Sequence, residues 1–251
     1  MKNFLLLVLN SLTFFGTLFL NYLYGSGAGS RKSVGEISNQ YETLITPSGY
    51  AFSIWGLIYI LLFGFIAYQW VCFLKGNNDR SLEPVSYWFT VSNILNGIWI
   101  VVWVHEMLFL SVWIIAGLLV SLLFMGRNLR LGFKNDRPEV LTGIPVSVYL
   151  GWIIVATVVN FSVWFYDMGW FKGIEDFVTI LVLFVAALVY LFLAIRKNLA
   201  IPSFVGIWAF VAIALKQIDL NPNVFYAAII FSLVLLIGVF IKPKNKKTAL
   251  N

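Results

Sequence analysis

Three stretches carry side chains whose types and spacing could do chemistry. SNILNGIWIVVW places Asn96, Trp99 and Trp103 three and four residues apart, and Asn93 extends the same face. YLGWIIVATVVNFSVW places Trp152, Ala156 and Asn160 four apart, and AFSIWGLIYILLF brings Phe52, Trp55, Tyr59 and Phe63 round at helical spacing. On a helix each set lies along one face. Indole rings stack and donate one hydrogen bond, while carboxamides both donate and accept. Such faces suit an apolar small-molecule pocket with a few amide and indole groups. They are poorly suited to acid–base work.

The absences are equally informative. No Asp, Glu, Lys, Arg or His falls in the middle of any apolar stretch, and His105 is the one histidine. A proton pump or ion-coupled carrier ordinarily needs a midplane charge, and a metal enzyme needs clustered His or carboxylate ligands. No catalytic or metal-ligating residue is therefore assigned. Asn96 and Asn160 also suit hydrogen bonding between helices. Ser92, Ser147 and Thr157 are expected to bond back to their own helices.

The elements that must position these faces follow from composition. Of 251 residues, 61% are apolar and only 11% charged, against about 25% charged in soluble proteins. Crossing a bilayer takes about 20 mainly apolar residues. Eight such stretches occur, at about 3–24, 51–74, 85–104, 107–126, 144–165, 176–195, 199–216 and 222–241. The expected fold is an all-α, polytopic membrane bundle of about eight transmembrane helices. Thirteen of the 17 lysines and arginines then fall on one side, which places both termini in the cytoplasm. The basic tail KPKNKK is expected to lie against anionic headgroups rather than nucleic acid. The first stretch reads as a retained helix, since GSGAGS offers no good signal-peptidase site. Cys72 is the only cysteine, which excludes an intrachain disulfide.

Helix direction sets depth. At 1.5 Å per residue, Trp55, Tyr59, Asn96, Trp99, Ala156 and Asn160 all lie about 5–14 Å below the outer ends of their helices. The three faces thus share the outer half of the membrane, beneath the long loop 25–50. An apolar chamber with a few polar groups under a lid is the usual form of a small-molecule site. Trp70, Trp88, Trp164 and Trp170 read as interface anchors, and Trp208 as core packing.

These residues resemble the TspO/MBR family, the tryptophan-rich sensory proteins related to the translocator protein. The matching pieces are Tyr41 and Leu44, a proline followed by Trp55 and Tyr59, then Leu95, Asn96, Trp99 and Trp103. Last come Tyr149, Leu150, Trp152, Ala156, Asn160 and Trp164. They occur in family order over roughly residues 1–166. The resemblance implies a five-helix bundle over 1–166 that binds porphyrins or other flat hydrophobic ligands beneath its first loop. Trp55, Asn96, Trp152, Ala156 and Asn160 would line the pocket, with Tyr59, Trp99 and Trp103 close by. Residues 167–251 form a three-helix extension with no counterpart in that pattern. Where the family's sterol-recognition pattern needs a tyrosine and a basic residue stand Phe161 and Phe165, so the resemblance gives no support for sterol binding.

The reading is a multi-pass membrane protein, expected in a bacterial inner membrane, with a sensory or regulatory role. Its partners would be the lipid bilayer, a hydrophobic small molecule such as a tetrapyrrole and, in a homodimer, a second copy. A transporter of a hydrophobic solute and a tetrapyrrole-degrading enzyme stay open as alternatives.

Overall fold

The computed structural model describes residues 2–27, 32–41, 43–76, 82–133 and 138–241, and these contain helices and no strand. The basic tail and the charges Arg31, Arg80, Lys134 and Arg137 lie outside the described residues. Ten helices follow in order: α1 Lys2–Leu20, α2 Val34–Gln40, α3 Ile54–Leu74, α4 Leu82–Val85 and α5 Trp88–Val104. Then come α6 Leu108–Asn128, α7 Val140–Asp167, α8 Glu175–Leu191, α9 Ile201–Gln217 and α10 Pro222–Phe240. α1 and α8 each run on through a π-helical turn, at Asn21–Gly25 and Phe192–Arg196.

Eight of these ten match the eight apolar stretches. Six are long and apolar enough to cross a membrane, counting the turns that extend them. α5 and α9 are apolar but shorter, at 17 residues each, or about 26 Å. α2 is an addition that the apolar pattern did not reveal. It lies within the long loop, which is therefore partly ordered.

α7 is the axis of the bundle. Of its apolar window 83% is buried, against 28–44% for the other long helices. α3, α6 and α9 pack directly against it, while α1 reaches the bundle through α5 and α3. Lipid offers helices no hydrophobic drive to associate, so close van der Waals packing and interhelical hydrogen bonds must hold them. Both are visible. Thr90 donates to Asn10 Oδ1 (2.8 Å), Asn10 donates to Gln69 (3.4 Å), and Thr17 donates to the Asn93 carbonyl (2.7 Å). These bonds tie α1 to α3 and α5. Trp70, read as an anchor, also donates to Ser11 at 2.9 Å. Ser92, Ser147 and Thr157 do bond carbonyls of their own helices.

The last three helices join the bundle through small residues. A Cβ on Gly151 of α7 would meet Pro202 Cα at 2.9 Å and Val205 Cβ at 3.0 Å, both on α9. One on Gly206 of α9 would sit 2.7 Å from the Tyr190 ring of α8. The Tyr190 hydroxyl in turn donates to the Gly151 carbonyl at 2.7 Å. Three helices thus meet at one seam with no spare volume.

A Gly151→Val substitution should therefore lower stability by about 1–3 kcal/mol through overpacking. Gly64→Ala, where nothing lies within 4 Å of the new Cβ, should be neutral or stabilising. Thermal unfolding of the purified protein in a neutral detergent, followed by circular dichroism, checks both. Equal melting temperatures would mean that α9 does not dock as described.

Candidate functional site

Asn96 forms the floor. It is fully buried on α5, and its carboxamide joins four elements. Oδ1 accepts from Asn21 Nδ2 (2.9 Å), in the turn that ends α1, and from the Tyr59 hydroxyl of α3 (3.3 Å). Nδ2 donates to the Tyr149 hydroxyl of α7 at 2.9 Å. The bond to Tyr149 joins two fully buried side chains, so it also avoids a buried orphan.

Above this floor the rings assemble round Trp55. It stacks on Tyr59 (centroids 5.6 Å apart) and on Trp99 (6.0 Å), and meets Tyr149 and Trp152 edge to face at 6.1 and 6.3 Å. Trp99 stacks in turn on Trp103 at 5.8 Å. Offset and edge-to-face pairs of this kind contribute about 0.5–1.5 kcal/mol each beyond their area. The Trp99 indole donates to Asn160 Oδ1 at 3.1 Å, and Asn160 donates to the Ala156 carbonyl at 3.0 Å. Ser111 of α6 lies 3.1 Å from the same Asn160 oxygen. Phe63, the last of its aromatic series, turns outward and is exposed.

Six of the eight sequence-derived site residues line one small cavity: Trp55, Trp99, Trp103, Trp152, Ala156 and Asn160. Tyr59 and Asn96 lie beneath it, in the hydrogen-bonded floor. The cavity measures about 20 Å³, room for one water-sized molecule. The two carboxamides expected to face a ligand are engaged with the bundle. Two residues of the cavity lining carry a buried polar atom with no hydrogen-bond partner, Trp152 at Nε1 and Ser38 at Oγ. Both residues are 2% exposed or less. Beside the cavity lies an open groove of about 500 Å³ between the end of α1, α2 and α3. The two spaces share Val34, Phe52 and Trp55.

Residues 33–41 and 43–53 form the roof. Ser33 and Glu36 make a reciprocal capping box that starts α2, and the Trp103 indole donates to the Val34 carbonyl at 3.3 Å. The bonds to Ser33 hold the exposed Glu36 carboxylate below its ordinary range. Tyr41 donates to Glu106 Oε2 (3.0 Å), and Lys32 stands 3.9 Å from the other carboxylate oxygen. Partial burial, then the Glu106 charge, push the Tyr41 hydroxyl up to about 12, so it stays a donor at neutral pH. The second half of the roof is bonded to α9. Ser48 donates twice to the Ala212 carbonyl, at 3.1 and 3.0 Å. Gln217 donates to the Leu44 carbonyl at 3.0 Å, and Trp208 to that of Ala51 at 3.2 Å. Trp208 is thus a partly exposed tie to the roof rather than a core residue.

Sequence reasoning missed α2, Val34, Ser38 and the α9 ties. The S-x-x-E pattern at Ser33–Glu36 announces a helix start, and it was the one available signal.

Fold and site define a polytopic helical membrane protein with a roofed, tryptophan-lined chamber. The chain belongs to the TSPO-like protein family, whose sequence model matches residues 7–241. It is a multi-pass integral membrane protein. The matched span runs through α8, α9 and α10, which the five-helix resemblance left unassigned. No curated protein and no solved structure matches the chain.

Replacing Asn96 by Leu would leave the Tyr59 and Tyr149 hydroxyls without their carboxamide partner, at about 1–3 kcal/mol for each stranded group, while Asn21 keeps its bond to the Thr17 carbonyl. Asn96→Leu should consequently melt well below Tyr59→Phe, which removes a single bond. Similar melting points for the two variants would show that the carboxamide is not the hub.

Proposed function

We propose that this protein is a membrane receptor for a flat hydrophobic ligand of the tetrapyrrole class, with a sensory role. The ligand would be held in the tryptophan chamber by stacking on Trp55, Trp99, Trp103 and Trp152. The single observation that carries this reading is the pair of unpartnered polar atoms, Trp152 Nε1 and Ser38 Oγ, of two residues that line an aromatic cavity. A buried donor with no acceptor costs about 1–3 kcal/mol. An indole N–H is donor only, so the ligand's matching group is an acceptor such as a carbonyl or carboxylate oxygen. Ser38 sits on the roof and Trp152 on α7, so one ligand edge would bridge the two.

Volume sets a condition. Ligand sites span about 300–1,000 Å³, and the cavity in its present state is far smaller. Binding therefore requires the partition shared with the groove to move. The inner half of the bundle supports reception rather than transport. Phe14, Phe65 and Phe89 are fully buried there, with Phe65 and Phe89 packed edge to face at 5.1 Å.

In this reading all eight apolar helices span the membrane, with both termini cytoplasmic and the roof on the outer side, in a bacterial inner membrane. Residues 1–166 supply the chamber, and 167–251 hold its roof through α9. With Cys72 replaced by Ala, cysteines introduced as Lys172→Cys and Arg130→Cys should be labelled by an impermeant maleimide from opposite faces. Labelling from one face would refute the topology.

Titrating the purified protein with protoporphyrin should quench tryptophan fluorescence saturably. Trp152→Phe keeps a six-membered aromatic ring and removes the pyrrole half with its unpartnered N–H. It should lower stability by about 1–3 kcal/mol through the space left in the core and weaken binding about tenfold, equivalent to about 1.4 kcal/mol. Unsaturable quenching, or unaltered affinity in Trp152→Phe, would count against the chamber.

A further inference from the structure

We infer that the groove between α1 and α3 is the passage by which the flat ligand reaches the chamber from the outer leaflet, and that Phe52 is its gate. The inference rests on the ligand class and chamber proposed above. It comes from how the roof is fastened. The start of α2 is bonded to Trp103 and the roof's far half to α9, while Tyr41 is tied to Glu106. Those ties close the chamber from above and from the α9 side. Among the described residues an open space that adjoins the chamber is the α1–α3 groove, which holds about 500 Å³ and shares Val34, Phe52 and Trp55 with it.

The groove's walls suit a flat ring. Gly25, Gly35, Gly49 and Gly56 all line it. A Cβ on Gly49 or Gly56 would meet nothing within 4 Å, so packing does not require glycine at either position. The absence of side chains there leaves a smooth slot, with the Trp55 and Tyr59 rings further along its wall. Phe52 stands between slot and chamber. Its ring meets Trp152 edge to face at 6.0 Å, and a Cβ on Gly35 would come within 3.3 Å of it. Gly35 thus gives the ring the clearance it uses beneath α2, and a rotation of that ring would join the two spaces.

A gate and a passage act on rates. Stopped-flow mixing of protoporphyrin with the full chain in phosphatidylcholine nanodiscs, read by tryptophan quenching, measures both association and dissociation. Gly56→Leu fills the slot with a good helix former and should slow both rates about tenfold, within the range such changes cover. Phe52→Ala should speed both. Trp152→Phe should raise the dissociation rate alone. If Gly56→Leu and Phe52→Ala leave both rates as in the wild type while Trp152→Phe weakens binding, the ligand enters elsewhere and the passage is refuted with the chamber intact. If the wild type shows no saturable quenching, chamber and passage fall together. Melting temperatures of the two passage variants within a few degrees of the wild type confirm that the rates report access and not misfolding.

Discussion

The Asn96 carboxamide is the constraint on which the site depends. In water an Asn–Tyr hydrogen bond trades against solvent and contributes about 1 kcal/mol. Here the Tyr59 and Tyr149 hydroxyls bond this amide, and Asn21 divides its Nδ2 between it and the Thr17 carbonyl of its own helix. Asn21, Tyr59 and Tyr149 come from three different elements and converge on one amide of a fourth. That convergence sets the rotation of α3, α5 and α7 about their axes. Rotation decides which side chains face inward, so the positions of Trp55, Trp99 and Trp152 follow from it. Tyr59 is thus both a floor bond and a stacking partner of Trp55, and the floor and the aromatic wall cannot move independently.

The roof depends on a second constraint, carried by helices remote in sequence. α9 presents the Ala212 carbonyl, Gln217 and Trp208 to residues 44–51. α9 itself is seated by the seam of Gly151, Gly206 and Tyr190. A change at Gly151 would therefore reach the roof through α9 without touching the chamber. The family match over residues 7–241 agrees with this dependence. The last three helices are coupled to the site mechanically, although none of their residues lines the chamber.

What was legible in the sequence follows from the solvent. Lipid obliges each span to satisfy its own backbone, so apolar length alone revealed eight helices, and 3.6-residue spacing revealed which faces carried aromatics. Spacing gives a direction round one helix and says nothing of what stands opposite. Asn160 was legible as facing inward, but not that it meets Trp99 and Ser111. α2 has seven residues, too few for periodicity to register, and only its capping box marked it. The bonds from Ser48 to Ala212 span 164 residues, and no local pattern encodes them.

The chamber's closed state has a physical logic of its own. Its aromatic walls already touch, and its two carboxamides are satisfied by the surrounding helices, Asn96 through Asn21, Tyr59 and Tyr149 and Asn160 through Trp99, Ser111 and the Ala156 carbonyl. The exceptions are the Trp152 indole N–H and the Ser38 hydroxyl. Left unpaired, they raise the energy of the empty state and are relieved by whatever brings an acceptor. On the function proposed here, binding would gain from both stacking and the removal of a penalty, and would disfavour ligands lacking that acceptor, which would leave the donor stranded. The surrounding rings would then set the ligand's shape, and the two unpartnered atoms its chemistry.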